Sequence, residues 1–552
     1  MLNVHFAWAV VVAAALALSV PVLPAEAAPP TAAALIARYV AWRGGPAYER
    51  LNSIHMVLSL HSPSGPQRQE LWLDRDGRAR IETDFGSGAL RQISVSGPDG
   101  AWNVNVSGQV TAKPRGGASA RLDALLFGGA LLDPDAAARL SGAAKVGDRT
   151  WPLVRFDLSD GDAEYAVIDP ASGRLWTLAL VHDGRASVEA FGDWRMVDGV
   201  RMPFYWMQEA RGRRLSPSVD VVDVNPPLDP ALFRKPAGVR LSSFVGGATS
   251  SGWIGFDLSG NAIYLPVEVD GHATTALLDT GASTSVVDRR LAASLGQEPI
   301  GSAAVTGAEA RGGNAQFLNN VDFAAGALRL AGVKAAAIDL GPFRRFSRHP
   351  FSAILGQDAF NELVVDIDFA RRRLTFLDPA GFIPPADAVA LPLRPDGVLA
   401  SVDGRPAAKF QVDLGYDWSI ELFPDYVRAE RLADGRKLSD ALVRGVGGET
   451  LGRVKRLRRL SFAGLDFSDV PASFAERQPP GAPEDLAGRI GVGLLSRFET
   501  IIDYPQGRLY LVPAPDATTR PFERIPVEGF ANPDPITNPS PCKFYNGARP
   551  VC

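Results

Sequence analysis

The second half of the chain repeats itself, and that repeat limits what it can fold into. Val269-Asp270-Gly271 is followed by Asp279, and Val402-Asp403-Gly404 by Asp413 at nearly the same distance. Asp279 to Gly356 is 77 residues and Asp413 to Gly491 is 78; each glycine stands 12 residues before a further aspartate, Asp368 or Asp503. Each of these leads through a turn into a last apolar strand, Leu374-Thr375-Phe376-Leu377 or Leu509-Tyr510-Leu511-Val512. Landmarks matched over roughly 110 residues exceed a solenoid unit and predict two homologous lobes. Asp368 and Asp503 read as caps at strand ends.

Within the first repeat, Ile263, Leu265, Val267 and Val269 alternate with Tyr264, Pro266, Glu268 and Asp270, as in a half-buried strand. Asp270-Gly271 predicts the hairpin turn. The return strand closes on Ala276-Leu277-Leu278, then Asp279-Thr280-Gly281-Ala282-Ser283. A carboxylate at the end of an apolar strand, followed by a small hydroxyl residue and a glycine, sits at the floor of a cleft. There it can share a proton with a second carboxylate.

Leu277 to Ser283 resembles the active-site motif of retropepsin-like aspartic peptidases, and Ala353-Ile354-Leu355-Gly356 is similar to the segment that packs beneath their catalytic loop. The resemblance implies a mainly β protein with two retropepsin-like acid-protease lobes, residues 259–382 and 392–515. It implies aspartic endopeptidase activity on a polypeptide substrate, with Asp279 and Asp413 as the catalytic pair. Thr280, Gly281, Ser283, Gly415, Leu355, Gly356 and Gly491 would support the loops. Gln357 to Leu363 would form a short helix. Mobile hairpins over the substrate would come from Val305-Thr306-Gly307 with Gly312-Gly313, and from Arg444 to Gly448. Two carboxylates about 3 Å apart cannot both ionise, so one is a base and the other an acid. No cofactor or metal is required.

The second lobe departs from the motif. It reads Val412-Asp413-Leu414-Gly415-Tyr416-Asp417, so a leucine replaces the threonine and cannot make the interlobe hydrogen bond expected of Thr280. Asp417, if inward, would raise the pKa of Asp413. Three outcomes are open: an asymmetric working pair within one chain, a homodimer through the first lobe, or a binding module without activity.

Residues 28–240 have another character. An amphipathic pattern from Ala33 to Trp42 predicts a helix, and alternating stretches such as His55 to Leu60 and Glu70 to Leu73 predict antiparallel strands. Turns at Asp76-Gly77, Asp99-Gly100, Ser172-Gly173 and Asp183-Gly184 separate them. The run from Asp193 to Pro203, and the opening helix with Leu51 to Ile54, resemble the LolA-like carriers that sort outer-membrane lipoproteins. That resemblance implies a curved antiparallel half-barrel around helices, holding an apolar or lipid ligand; the other reading is an interior filled by the domain's own side chains. Residues 241–258, rich in Gly and Ser, read as a flexible linker.

Composition bounds the rest. A net charge of −4 over 552 residues gives no support for a nucleic-acid partner. The six histidines are scattered without helical i, i+4 pairing. Residues 1–27 read as a signal peptide with Ala25-Glu26-Ala27 before the cleavage point, although no Lys or Arg precedes the apolar run. Export to the periplasm is expected, with an uncleaved inner-membrane anchor as the alternative. The tail, 516–552, holds the only cysteines, Cys542 and Cys552, which would pair as a disulfide in an oxidising compartment or stand as free thiols.

Overall fold

The computed structural model describes residues 30–522, less short internal stretches of which the longest are 114–125, 306–312 and 478–484. The expected signal peptide and the cysteines of the tail lie outside the described residues, as do Thr306, Gly307 and Gly312 of the first hairpin and Val446 and Gly447 of the second.

The N-terminal part is a 14-stranded antiparallel sheet. Helix Ala32–Arg43 matches the predicted one; Thr31 caps it by accepting from the Ala34 amide. A single buried cluster joins Leu35 and Tyr39 of this helix to Ala79 at one side of the sheet and to Val154 and Phe156 far along the strand order. Those residues span nine strands, about 40 Å in a flat sheet at 4.7–4.9 Å per strand. The sheet is curved, and the face that carries this cluster is the one on which the helix lies against Ala138–Val146, Ala163–Ile168 and Val200–Ala210. The concave side is filled by the domain's own groups. Leu126, Phe127 and Leu131 pack there, and the buried Arg43 guanidinium lies 4.2 Å from the Tyr48 ring centroid and donates to Tyr39 Oη at 2.7 Å.

The connection to the second half is strapped to the first lobe. Ser242–Phe244 pairs with Leu328–Val333, and Ile254–Gly255 pairs with Arg373–Leu377. Glu362 accepts from the Leu241 and Ser242 amides at 2.8–3.0 Å. Gly and Ser here supply small residues for a strand laid over a surface.

The repeat folds as two lobes joined by one sheet. The first lobe's sheet has eleven strands and the second's seven. A six-stranded sheet takes Val364–Asp368 and Arg373–Leu377 from the first lobe and Phe498–Asp503 and Arg508–Pro513 from the second. The seam is the antiparallel pair Val364↔Asp503 through Ile367↔Thr500. The matched aspartates hold its turns: Asp368 accepts from the Arg371 amide and Asp503 from the Gln506 amide. One apolar core runs through both lobes, with Leu278, Phe360 and Phe376 in the same cluster as Phe410, Val412 and Ile502. Among the described residues no helix is long and apolar enough to cross a membrane.

Candidate active site

Each lobe presents its aspartate in the same way. Strand His272–Leu278 runs parallel to Ala353–Leu355, which lies antiparallel to Val286–Asp288 on its other side. The Asp279 amide donates to Leu355 O at 3.0 Å. In the second lobe Ala408–Val412 runs parallel to Leu486–Ile490, flanked by Ile420–Leu422, and the Asp413 amide donates to Ile490 O at 2.9 Å. Gly356 and Gly491 let these central strands pass beneath the loops. A Cβ on Gly356 would stand 2.6 Å from Thr284 O and 2.7 Å from Ala282 O, and one on Gly491 would collide with Tyr416 O and Trp418 O. Short helix Gln357–Phe360 follows; Gln357 Nε2 donates to Thr280 O at 2.6 Å.

The two loops meet across the lobe boundary. Gly281 N donates to Asp279 Oδ1 at 2.7 Å and Gly415 N to Asp413 Oδ1 at 2.9 Å. Each glycine also faces the opposite aspartate. A Cβ on Gly281 would lie 2.7 Å from Asp413 Oδ1, and one on Gly415 would strike the Asp279 carboxyl group. Only glycine leaves room for two carboxyls at this interface. Both aspartates are 3% exposed. The Asp279 carboxyl is pushed up to about 7 by burial and by the negative charge of Asp413, against the pull of the Gly281 and Ala282 amides and Arg489.

Thr280 makes the lock between the two Asp-Gly segments from the first lobe. Its hydroxyl donates to Val412 O at 2.8 Å and accepts from Leu414 N at 2.9 Å, so one side chain uses both its hydrogen-bonding roles across the boundary. Leu414 returns no side-chain bond; it is fully buried in the shared apolar core. Ser283 is exposed, and the loop after Gly281 is held by the next two residues. Thr284 Oγ1 donates to Asp358 Oδ2 at 3.0 Å and the Ser285 amide to the same oxygen. Burial raises the Asp358 pKa, while the Ser285 amide and the Thr284 and Ser107 hydroxyls pull it back.

Sequence reasoning missed several groups. Beside Asp413 stands a cation: Arg489 Nη1 lies 2.9 Å from Asp413 Oδ2, and its Nε lies 2.6 Å from Glu421 Oε2. Asp417 is partly buried and its carbonyl accepts from Asn261 Nδ2 at 2.9 Å. The signal for Arg489 was present, since a charge occupies the position before Ile490-Gly491 where the first lobe has Ile354. The N-terminal domain also reaches the site. Gln109 Nε2 donates to Asp358 O at 2.8 Å and to Glu362 Oε1 at 2.7 Å, and Leu90 is fully buried in a cluster with Leu277, Val286 and Ile354. These long-range contacts have no local signature.

Residues 265–359 match the family model described as aspartyl protease. That span carries Asp279, Thr280, Gly281, Leu355 and Gly356 and ends before Asp413. Among solved structures, the chain is similar to an aspartic proteinase from Irpex lacteus, with 15% identity over 49% of this chain and 99% of that chain (TM-score 0.30). It is also similar to a LolA superfamily protein from Nitrosomonas europaea, with 11% identity over 38% of this chain and 99% of that chain (TM-score 0.29). A DUF1329 family protein from Desulfovibrio piger shares 12% identity over 37% of this chain and 98% of that chain (TM-score 0.27). No curated protein matches the chain.

Proposed function

We propose that the protein is an aspartic endopeptidase that cleaves polypeptides with a water molecule activated between Asp279 and Asp413, both supplied by one chain. The observation that carries this reading is the reciprocal packing of each catalytic-loop glycine on the opposite aspartate. It brings two buried carboxyls to one point, where a single shared proton makes one a base and the other an acid. The base takes a proton from water as its oxygen attacks the scissile carbonyl carbon. The acid donates to the carbonyl oxygen. The tetrahedral diol then collapses as the C–N bond breaks and the amine takes a proton, so no covalent intermediate forms. Gly281, Gly415, Leu355, Gly356, Gly491 and Thr280 hold the geometry. Thr284, Ser285 and Asp358 take the anchoring role expected of Ser283.

The shared six-stranded sheet supports a monomer with an internal pair over a homodimer through the first lobe. The apolar run before Ala28 supports export and a periplasmic site of action. The filled concave side of the N-terminal sheet favours a bracing role for that domain over carriage of an apolar ligand. The test is cleavage of a denatured protein from pH 3 to 8, with product ends located by mass spectrometry. Endoproteolytic fragments from the unmutated protein that vanish in Asp279→Asn would support the reading. Equal fragments from both proteins, or none from either, would refute it.

A further inference from the structure

The faces of the two lobes differ at one matched pair of positions. In the first lobe Val286 lies opposite Ile354; in the second, Glu421 lies opposite Arg489. An apolar pair has become a charged one between Ile420–Leu422 and Leu486–Ile490, the strand that runs beside the one ending at Asp413. The exchange is buried: the side chains of Arg489, Asp413 and Glu421 are 13%, 5% and 8% exposed. Arg489 also stands over Tyr416, with its guanidinium carbon 4.9 Å from the ring centroid. Burying a guanidinium is costly unless every charge is met. Here it is met by two carboxylates, one of them in the proposed catalytic pair.

We infer that Arg489 is a positioning residue that fixes which member of the pair keeps its negative charge, making Asp413 the standing anion and Asp279 the carrier of the shared proton. A symmetric pair has no such preference. An arginine remains protonated throughout the working range, and burial, which opposes its charge, is overcome here by Glu421 and Asp413. Asp279 faces that anion and, among the described residues, accepts from the backbone amides of its own loop, with Arg489 acting on it through its charge. The chemical roles follow, and this part rests on the peptidase reading. Asp413 takes the proton from water as the C–O bond forms. Asp279 gives its proton to the carbonyl oxygen. On collapse Asp279 recovers a proton from a diol hydroxyl, and Asp413 gives its proton to the nitrogen as the C–N bond breaks. One water is consumed and both carboxyls return to their starting states.

The test is a carbon-13 NMR titration of the full mature chain labelled at aspartate carboxyls, with Asp279→Asn and Asp413→Asn for assignment. It is run beside the pH dependence of kcat and KM on a denatured protein. Removing the cation alone would leave two buried carboxylates facing each other, so the neutral variant is the double substitution Arg489→Met with Glu421→Gln, its folding checked by thermal melting. Glu421→Gln alone and Arg489→Lys are the controls. In the unmutated protein the Asp279 resonance moves as pH rises through about 7 and the Asp413 resonance does not follow it through that step. In the double variant both resonances move together, and kcat falls at least about tenfold with KM little changed, since a correctly protonated acid and base contribute about 10²–10⁴-fold. Arg489→Lys keeps the pattern of the unmutated protein. Joint movement of both resonances in the unmutated protein, or a double variant with an unchanged titration and pH profile, would overturn the inference. A protein that cleaves nothing yet titrates at Asp279 alone would keep the charge assignment and refute the peptidase reading.

Discussion

At the scale of single residues, the site rests on groups that admit few substitutes. Thr280 satisfies two backbone groups of the opposite lobe with one hydroxyl. Thr280→Val removes both bonds and leaves a buried carbonyl and a buried amide without them. Each costs about 1–3 kcal/mol, so melting should fall by several degrees and cleavage by at least about tenfold, while Thr280→Ser should retain most of both. Gly415→Ala places a methyl group against the Asp279 carboxyl. The expected outcome is a folded protein by circular dichroism with cleavage reduced at least about a hundredfold, because displacement by about 1 Å can cost that much. The Asp279 carboxyl, raised to about 7 by burial and Asp413, sets the upper pH limit. Below that value it holds the proton the proposed mechanism requires, and above it that proton is lost. A pH–rate profile should therefore fall as pH rises through about 7.

At the scale of elements, the seam between lobes carries its own pH dependence. Asp366 and Glu499 sit on the two adjoining strands of the shared sheet, and burial with the charge of Glu499 pushes Asp366 up to about 7. Asp368 adds to that push, Arg373 opposes it, and Arg371 and Asp387 act on Glu499. A carboxyl whose pKa rises on folding favours the folded state most below its unfolded value, near 4, and that contribution is lost as pH rises through about 7. Denaturant midpoints should decline from pH 4 to pH 8, and Asp366→Asn should flatten the decline. The seam explains what could be read in advance. Asp279, Asp413 and their glycines were legible because apolar lead-ins, Asp-Gly turns and equal spacings are local patterns repeated twice. The one-sided lock was half legible, since Leu414 announces the lost bond but not the Thr280 hydroxyl's double duty. The weight placed on Ser283 and Asp417 failed to foresee Thr284, Ser285 and Arg489, whose roles depend on partners about 70 residues away. Residues 241–258 carry a linker's composition, yet their amides find partners on the first lobe, which composition does not encode.

At the scale of the whole molecule, the three parts form a continuous structure in which the N-terminal sheet packs against the end of the first lobe that carries Asp279. Leu90 enters the cluster beside Leu277 and Ile354, and Gln109 ties down the segment whose Asp358 holds the loop after Asp279. Leu90→Ala should cost about 2–5 kcal/mol of stability by leaving a cavity, measurable by denaturant unfolding. Because the concave side of that sheet is occupied by Tyr39, Phe127 and their neighbours, native mass spectrometry should find the protein without a bound lipid. The central claim is that one chain supplies both carboxyls. Its most direct test is cleavage of a denatured protein by Asp279→Asn alone, Asp413→Asn alone, and an equimolar mixture of the two. An internal pair predicts no cleavage by either variant and none by the mixture, because neither chain holds two aspartates. Full activity in Asp413→Asn with loss only in Asp279→Asn, or activity restored by mixing, would contradict it and place the pair between chains.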